Sequence, residues 1–189
     1  MNEVDRPFTV TQRVIHWVMA ICILAMLFIG VGMLSTVTPK YLTLAAIHKP
    51  LGVAILILVV LRIIVRLRAG APALPVDLPA PMKLAAHLSH YALYALMIAM
   101  PLIGWAMLSA ASYPVELFDG VYLPAILPQS DSLHTILWNA HRTLALVLFA
   151  LILMHVAAAL FHGLIRRDGV LESMTTGSIR HDGAASPAE

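Results

Sequence analysis

Along this chain apolar residues do not alternate with polar ones. They gather into four long blocks separated by shorter polar segments. A helix needs about 20 mostly apolar residues to cross a bilayer. The blocks at residues 14–35, 44–66, 84–110 and 139–165 each reach that length. Lipid offers no partners for backbone amides, so each block is predicted to be α-helical. The fold class that follows is all-α, an integral membrane four-helix bundle. Pro101 falls inside the third block and predicts a kink there.

The connections differ in kind. The first, "TVTPKY", is short. The second, "RLRAGAPALPVDLPAPMK", is Pro-rich and basic, and is predicted to be extended. The third, "ASYPVELFDGVYLPAILPQSDSL", has no Lys or Arg and carries Glu116, Asp119 and Asp131. The chain after Arg167 turns polar. Residues 1–174 are therefore read as one membrane domain and residues 175–189 as a polar tail, expected to be disordered.

Composition narrows the class. Apolar residues make up 60% and charged ones 12%. Soluble proteins average about 45–50% and about 25%, so an ordinary soluble domain is excluded. A net charge of +2 without a basic cluster gives no footprint for nucleic acid. The opening "MNEVDRPFTVTQRVIHW" lacks the basic start and small-residue cleavage site of a signal peptide, so the first block is expected to stay as a helix. Cys22 lies within an apolar block and reads as packing.

Charge also sets direction. Arg6, Arg13, Arg62, Arg66, Arg68, Lys83, Arg166, Arg167 and Arg180 fall on one side of the four spans; Lys40, Lys49 and Arg142 fall on the other. The basic side is cytoplasmic by the positive-inside rule, which predicts both termini in the cytoplasm. The third connection then lies at the outer surface, partly in the interface.

Against this background the histidines stand out. A lone intramembrane histidine can serve as a hydrogen-bonding residue between helices, worth only about 0.6 kcal/mol. The spacing of the set points elsewhere. His141 and His155, fourteen residues apart, share one face of the fourth helix, offset by about 40° and separated by about 21 Å. His162 continues the stripe two turns on. Two well-separated histidines on one face suit two planar metal cofactors rather than one zinc ion, whose ligands converge within about 2 Å of it. Histidine is an axial ligand of haem iron. His48 falls at the depth of His141, and His16 at the depth of His155. Counting fourteen residues from each landmark puts His16, Arg62, His90 and His155 in an inner layer. Gly30, His48, Gly104 and His141 fall in an outer one. The two glycines allow a macrocycle to approach the backbone, or simply close helix packing.

Other polar residues have two readings each. Arg62 pairs with a haem propionate, lies beside a quinone, or snorkels. Lys49 and Arg142 follow the outer histidines and either meet propionates or an anion, or anchor the interface. His87 and His90, in "AHLSHYALY", face a propionate, a quinone or solvent. His134 is expected to cap the fourth helix, and His181 lies in the tail. Trp17, Trp105 and Trp138 read as interfacial aromatics, and the ten Met residues as packing.

Four stretches together carry a resemblance: "RVIHW", "IHKPLGVAILILVVLRIIVRLR", "HLSHYALYALMIAMPLIGW" and "AHRTLALVLFALILMHVAAALFHGLIRRDGVLESM". In this order, over residues 9–174, they resemble the bacterial cytochrome b561 family, also grouped with the cytochrome b subunits of nickel–iron hydrogenases. The resemblance implies a bacterial inner-membrane protein with two haem b groups. Their axial ligands would be the pairs His16/His155 and His48/His141. It implies single-electron transfer between a periplasmic donor or redox partner protein, superoxide in one member type, and ubiquinone. Arg62, His87, His90, Arg142, Lys49 and His162 become candidates for propionate or quinone contacts. Arg142 departs from the acidic residue many relatives carry beside that ligand, which makes the outer surroundings more positive. A membrane anchor for a dehydrogenase or hydrogenase is the related alternative; a non-redox transporter or scaffold is the alternative of another class.

Overall fold

The computed structural model describes residues 7–177. Among them are four helices long and apolar enough to cross a membrane. They are α1 (Val10–Leu34), α2 (Lys40–Ala69), α3 (Ala80–Ala110) and α4 (Asp131–Leu160), the last continuing as a π-helical turn over Phe161–Arg166. A short α5 (Val170–Thr175) follows. Every helix extends beyond the apolar block that predicted it, because polar caps and amphipathic turns continue the backbone pattern outside the lipid-like stretch. Residues 178–189, most of the expected tail and His181 with it, lie outside the described residues, as do residues 1–6.

Local chemistry fixes the helix ends. Thr9 and Gln12 form a reciprocal capping box at the start of α1, with Thr9 Oγ1 accepting from the Gln12 amide and Gln12 Oε1 accepting from the Thr9 amide. Gln12 then donates from Nε2 to the Gly70 carbonyl at 2.7 Å, tying α1 to the end of α2. Gly70 takes φ of +74°, which ends α2 in a way L side chains disfavour. Ser130 caps α4 by accepting from the Leu133 amide, and Asp131 in the first turn suits the positive helix end. The expected cap, His134, points sideways instead: its Nδ1 lies 3.1 Å from the Met107 carbonyl and links α4 to α3. Ser130 serves better because its short side chain reaches a free amide directly. Pro101 lies inside a continuous α3, and Pro50 inside α2.

The third connection holds a feature the block pattern concealed. β1 (Val115–Phe118) and β2 (Val121–Leu123) form an antiparallel hairpin pairing Val115 with Leu123 and Glu116 with Tyr122. Its turn is Asp119-Gly120, with Gly120 at φ +76°, the dipeptide that suits a tight hairpin. Val115 is buried where β1 meets α2. Lys49 Nζ donates to the Pro114 carbonyl, and Trp105 Nε1 to the Pro124 carbonyl, pinning the loop to α2 and α3.

Helices pack in sequence order: α1 on α2, α2 on α3, α3 on α4. Neither α1 nor α2 packs closely against α4. At the opposite end from the hairpin, Arg13 donates to the Thr175 carbonyl and Trp17 to the Met174 carbonyl, so α5 clasps the start of α1. This is the terminal end. Among the described residues only nine apolar side chains are buried, as expected where most of the helix surface faces lipid.

Candidate functional site: two histidine pairs

α4 carries both halves of the site. At the hairpin end the His141 ring lies 6.2 Å, centre to centre, from the ring of His48 on α2. At the terminal end the His155 ring lies 6.3 Å from His16 on α1. Each pair spans two helices whose backbones stay apart. Among the described residues no group of three or more His, Cys, Asp or Glu is arranged to hold a metal ion.

The hairpin-end pair stands in apolar surroundings. His48 Nδ1 and His141 Nδ1 are buried and make no hydrogen bond of standard geometry among the described residues. A buried polar atom left this way costs a few kcal/mol without a partner. Gly104 of α3 presses on this pair: a Cβ there would come within 3.3 Å of His141 Cε1. At Gly30 a Cβ would meet nothing within 4 Å. So of the two glycines singled out by depth, one packs on a ring and one borders open space. Lys49 is engaged by the hairpin, and Arg142 is exposed and makes no hydrogen bond or ion pair among the described residues.

The terminal-end pair is surrounded by polar groups. His90 on α3 sets its ring 5.5 Å from His155, and its Nδ1 lies 2.6 Å from the Ala86 carbonyl one turn back. That bond directs Nε2 away from its own helix. Arg62 has two partners. Its Nε donates to Tyr94 Oη at 3.0 Å and its Nη1 to the Gln12 carbonyl at 3.4 Å. Sequence reading missed Tyr94 and Gln12. Both were findable by helical spacing, since each lies four residues from a histidine of this layer, Tyr94 from His90 and Gln12 from His16. His87 is exposed.

His162 has a partner of its own. Its Nδ1 lies 2.7 Å from Asp168 Oδ2, which also accepts from Arg166 Nε at 2.8 Å. Arg166 reaches on to Asp77 at 2.6 Å. Burial disfavours charge on Asp168, but the hydrogen bonds from Arg166 and His162 outweigh it and hold the carboxyl below the usual carboxylate range.

Four spans, with one helix presenting a histidine at each of two depths to two different neighbours, suit a membrane cytochrome b electron carrier. The comparison with known proteins fixes the family: residues 8–177 match the model of prokaryotic cytochrome b561, and the chain belongs to that family. It is 28% identical over 175 residues to Cytochrome b561 homolog 1 of Escherichia coli (strain K12), covering 88% of this chain and 96% of that one. It is 29% identical over 170 residues to Cytochrome b561 homolog 2 of the same strain, covering 88% and 90%. Probable superoxide oxidase CybB of Yersinia pestis is 35% identical over 129 residues, covering 68% of this chain and 72% of that protein.

Proposed function

We propose that this protein carries two haem b groups and moves single electrons between a periplasmic donor and the ubiquinone pool, with superoxide as the donor class. His48 and His141 hold the haem at the hairpin end, and His16 and His155 the one at the terminal end. The observation that carries the reading is the ring spacing of 6.2 and 6.3 Å. Rings at this spacing, each on its own helix, would both reach one haem iron, whose bound nitrogens lie about 2 Å away. The backbone gap between α4 and both partner helices, the unbonded buried Nδ1 of His48, and the open space beside Gly30 fit a flat prosthetic group. A haem bound by two histidines supplies one-electron transfer and has no open iron position for oxygen chemistry.

The residues divide the remaining work. Charge asymmetry supports termini in the cytoplasm and the hairpin on the periplasmic side of a bacterial inner membrane. Lys49 and Arg142 give the periplasmic end positive charge that attracts an anionic donor. Arg62, held by Tyr94, offers a cation for propionates at the other end. His90 presents Nε2 to that layer, and His162 offers a hydrogen-bond donor to a quinone carbonyl. The similarity to a protein named as a probable superoxide oxidase supports the choice of donor.

An optical spectrum tests this directly. Purified protein should show a reduced b-type spectrum with two haems per chain, superoxide should reduce them, and ubiquinone should reoxidise them. His141→Ala should leave one haem. Both haems persisting unchanged in that variant would overturn the pairing. A folded protein that binds no haem would overturn the redox reading altogether.

A further inference from the structure

The contact between His162 and Asp168 should not exist in an ordinary helix. Residues six apart on an α-helix point about 240° around the axis from each other. Here distortions of the backbone between them, the π-turn and the left-handed Arg167, bring them together. The backbone widens into a π-turn over Phe161–Arg166, a feature that tends to mark functional positions. Arg167 then takes a left-handed conformation, φ +53°, with its amide donating to the His162 carbonyl at 2.7 Å. Gly169 takes another, φ +80°. The result turns Asp168 back onto the His162 ring. α5 packs over this turn so closely that a Cβ on Gly163 would collide with Leu171.

The pair is also graded in exposure. The side chains of His162 and Asp168 are 14% and 12% exposed, that of Arg166 20% and that of Asp77 70%. Asp168 faces His162 and Arg166, and Arg166 faces Asp77. His162 Nε2 has no hydrogen-bond partner among the described residues and is not enclosed.

We propose that Asp168 is the positioning residue of a proton-donating pair, holding the His162 ring with Nε2 toward a quinone headgroup and giving the protonated ring its counter-charge. The inference rests on the proposed reduction of ubiquinone at the terminal end. Each ubiquinone takes two electrons, one at a time, from the reduced protein, and two protons; both carbonyl oxygens become hydroxyls. Protonated His162 breaks its Nε2–H bond and forms the O–H bond on the carbonyl oxygen it faces, while the other carbonyl oxygen takes its proton from water on the terminal side. The neutral ring then takes a proton from water on the terminal side. Asp168 stays ionised throughout, because Arg166 and His162 both bond its carboxylate. This is the division of labour in which a carboxylate orients an imidazole and the imidazole moves the proton.

The test uses the haem-loaded protein in nanodiscs, reduced and then mixed with a short-chain ubiquinone, with haem reoxidation followed optically. Asp168→Asn should slow reoxidation about a hundredfold, the usual scale for losing a general acid, and enlarge the solvent deuterium isotope effect. Its reduced spectrum and haem content should stay as in the parent. Asp168→Glu should recover most of the rate, since it restores a carboxylate. His162→Gln should slow reoxidation at least as much as Asp168→Asn, and decides the matter if that variant does not fold. Reoxidation of Asp168→Asn at the parent rate, or failure of Asp168→Glu to recover it, would overturn the pair while leaving the proposed function standing. Parent protein that ubiquinone does not reoxidise would overturn both.

Discussion

The two ends of the molecule hold similar histidine pairs in opposite environments. At the hairpin end two rings face each other with buried Nδ1 atoms, and Gly104 lets α3 press against one of them. At the terminal end a third ring joins, and Arg62, Tyr94 and Gln12 form a hydrogen-bonded shell. The first environment is suited to holding a cofactor and little else. The second can also exchange charge and protons with its surroundings. A one-electron donor needs only contact with the cofactor, whereas a quinone needs protons too, so the asymmetry follows the chemistry of the two reactions proposed.

The largest effect expected from that contrast is on haem content. His48→Ala leaves one histidine at the hairpin end, so the haem there should be lost and pyridine haemochrome analysis should find one haem per chain. His90→Ala should retain two, because the proposed ligands His16 and His155 remain. Loss of a haem in His90→Ala would make that ring a ligand and redraw the comparison. A smaller effect is expected from Gly104→Ala. Crowding His141 should cost about 1–3 kcal/mol, partly offset by about 1 kcal/mol of gained helix propensity. Thermal melts followed at the haem bands should show the hairpin-end haem released at a lower temperature while the terminal-end spectrum is unchanged.

The smallest effect is one of acid stability. The folded Asp168 carboxyl sits below its unfolded range near 3.9. It therefore contributes stability above about pH 4 that disappears as pH falls through the lowered folded value, since the unfolded chain takes up the proton first. Asp168→Asn should melt below the parent at neutral pH, and the gap should close on acidification below pH 4. A gap that persists there would mean the carboxylate's charge is not what matters.

Much of this was legible in the sequence, and the failures share a cause. The spans declared themselves because lipid imposes one rule over some twenty residues at a time. The layering of His16 with His155 and of His48 with His141 followed from the regular rise of straight helices, which holds over fourteen residues. Irregular backbone was harder to read. His162 continued the histidine stripe, yet its partner Asp168 was hidden, because only a π-turn and the left-handed Arg167 place it there. The hairpin had a visible signal in "LFDGVYL", where Asp-Gly is flanked by strand-forming residues. It was submerged in a connection notable for its charge. The tryptophans read as belt residues, but Trp17 donates to the Met174 carbonyl of α5 and Trp105 to the Pro124 carbonyl of the third connection.

Because α4 supplies a histidine to each pair, the order of synthesis matters. The ribosome delivers α1, α2 and α3 to the membrane first, and until α4 arrives each of His16 and His48 waits without its counterpart. No truncated product ending before residue 131 can assemble either pair, so loading of the proposed haems would belong to the last stage of biogenesis. The clasp of α5 on Arg13 and Trp17, made from the final described residues, would then act as a seal set after loading.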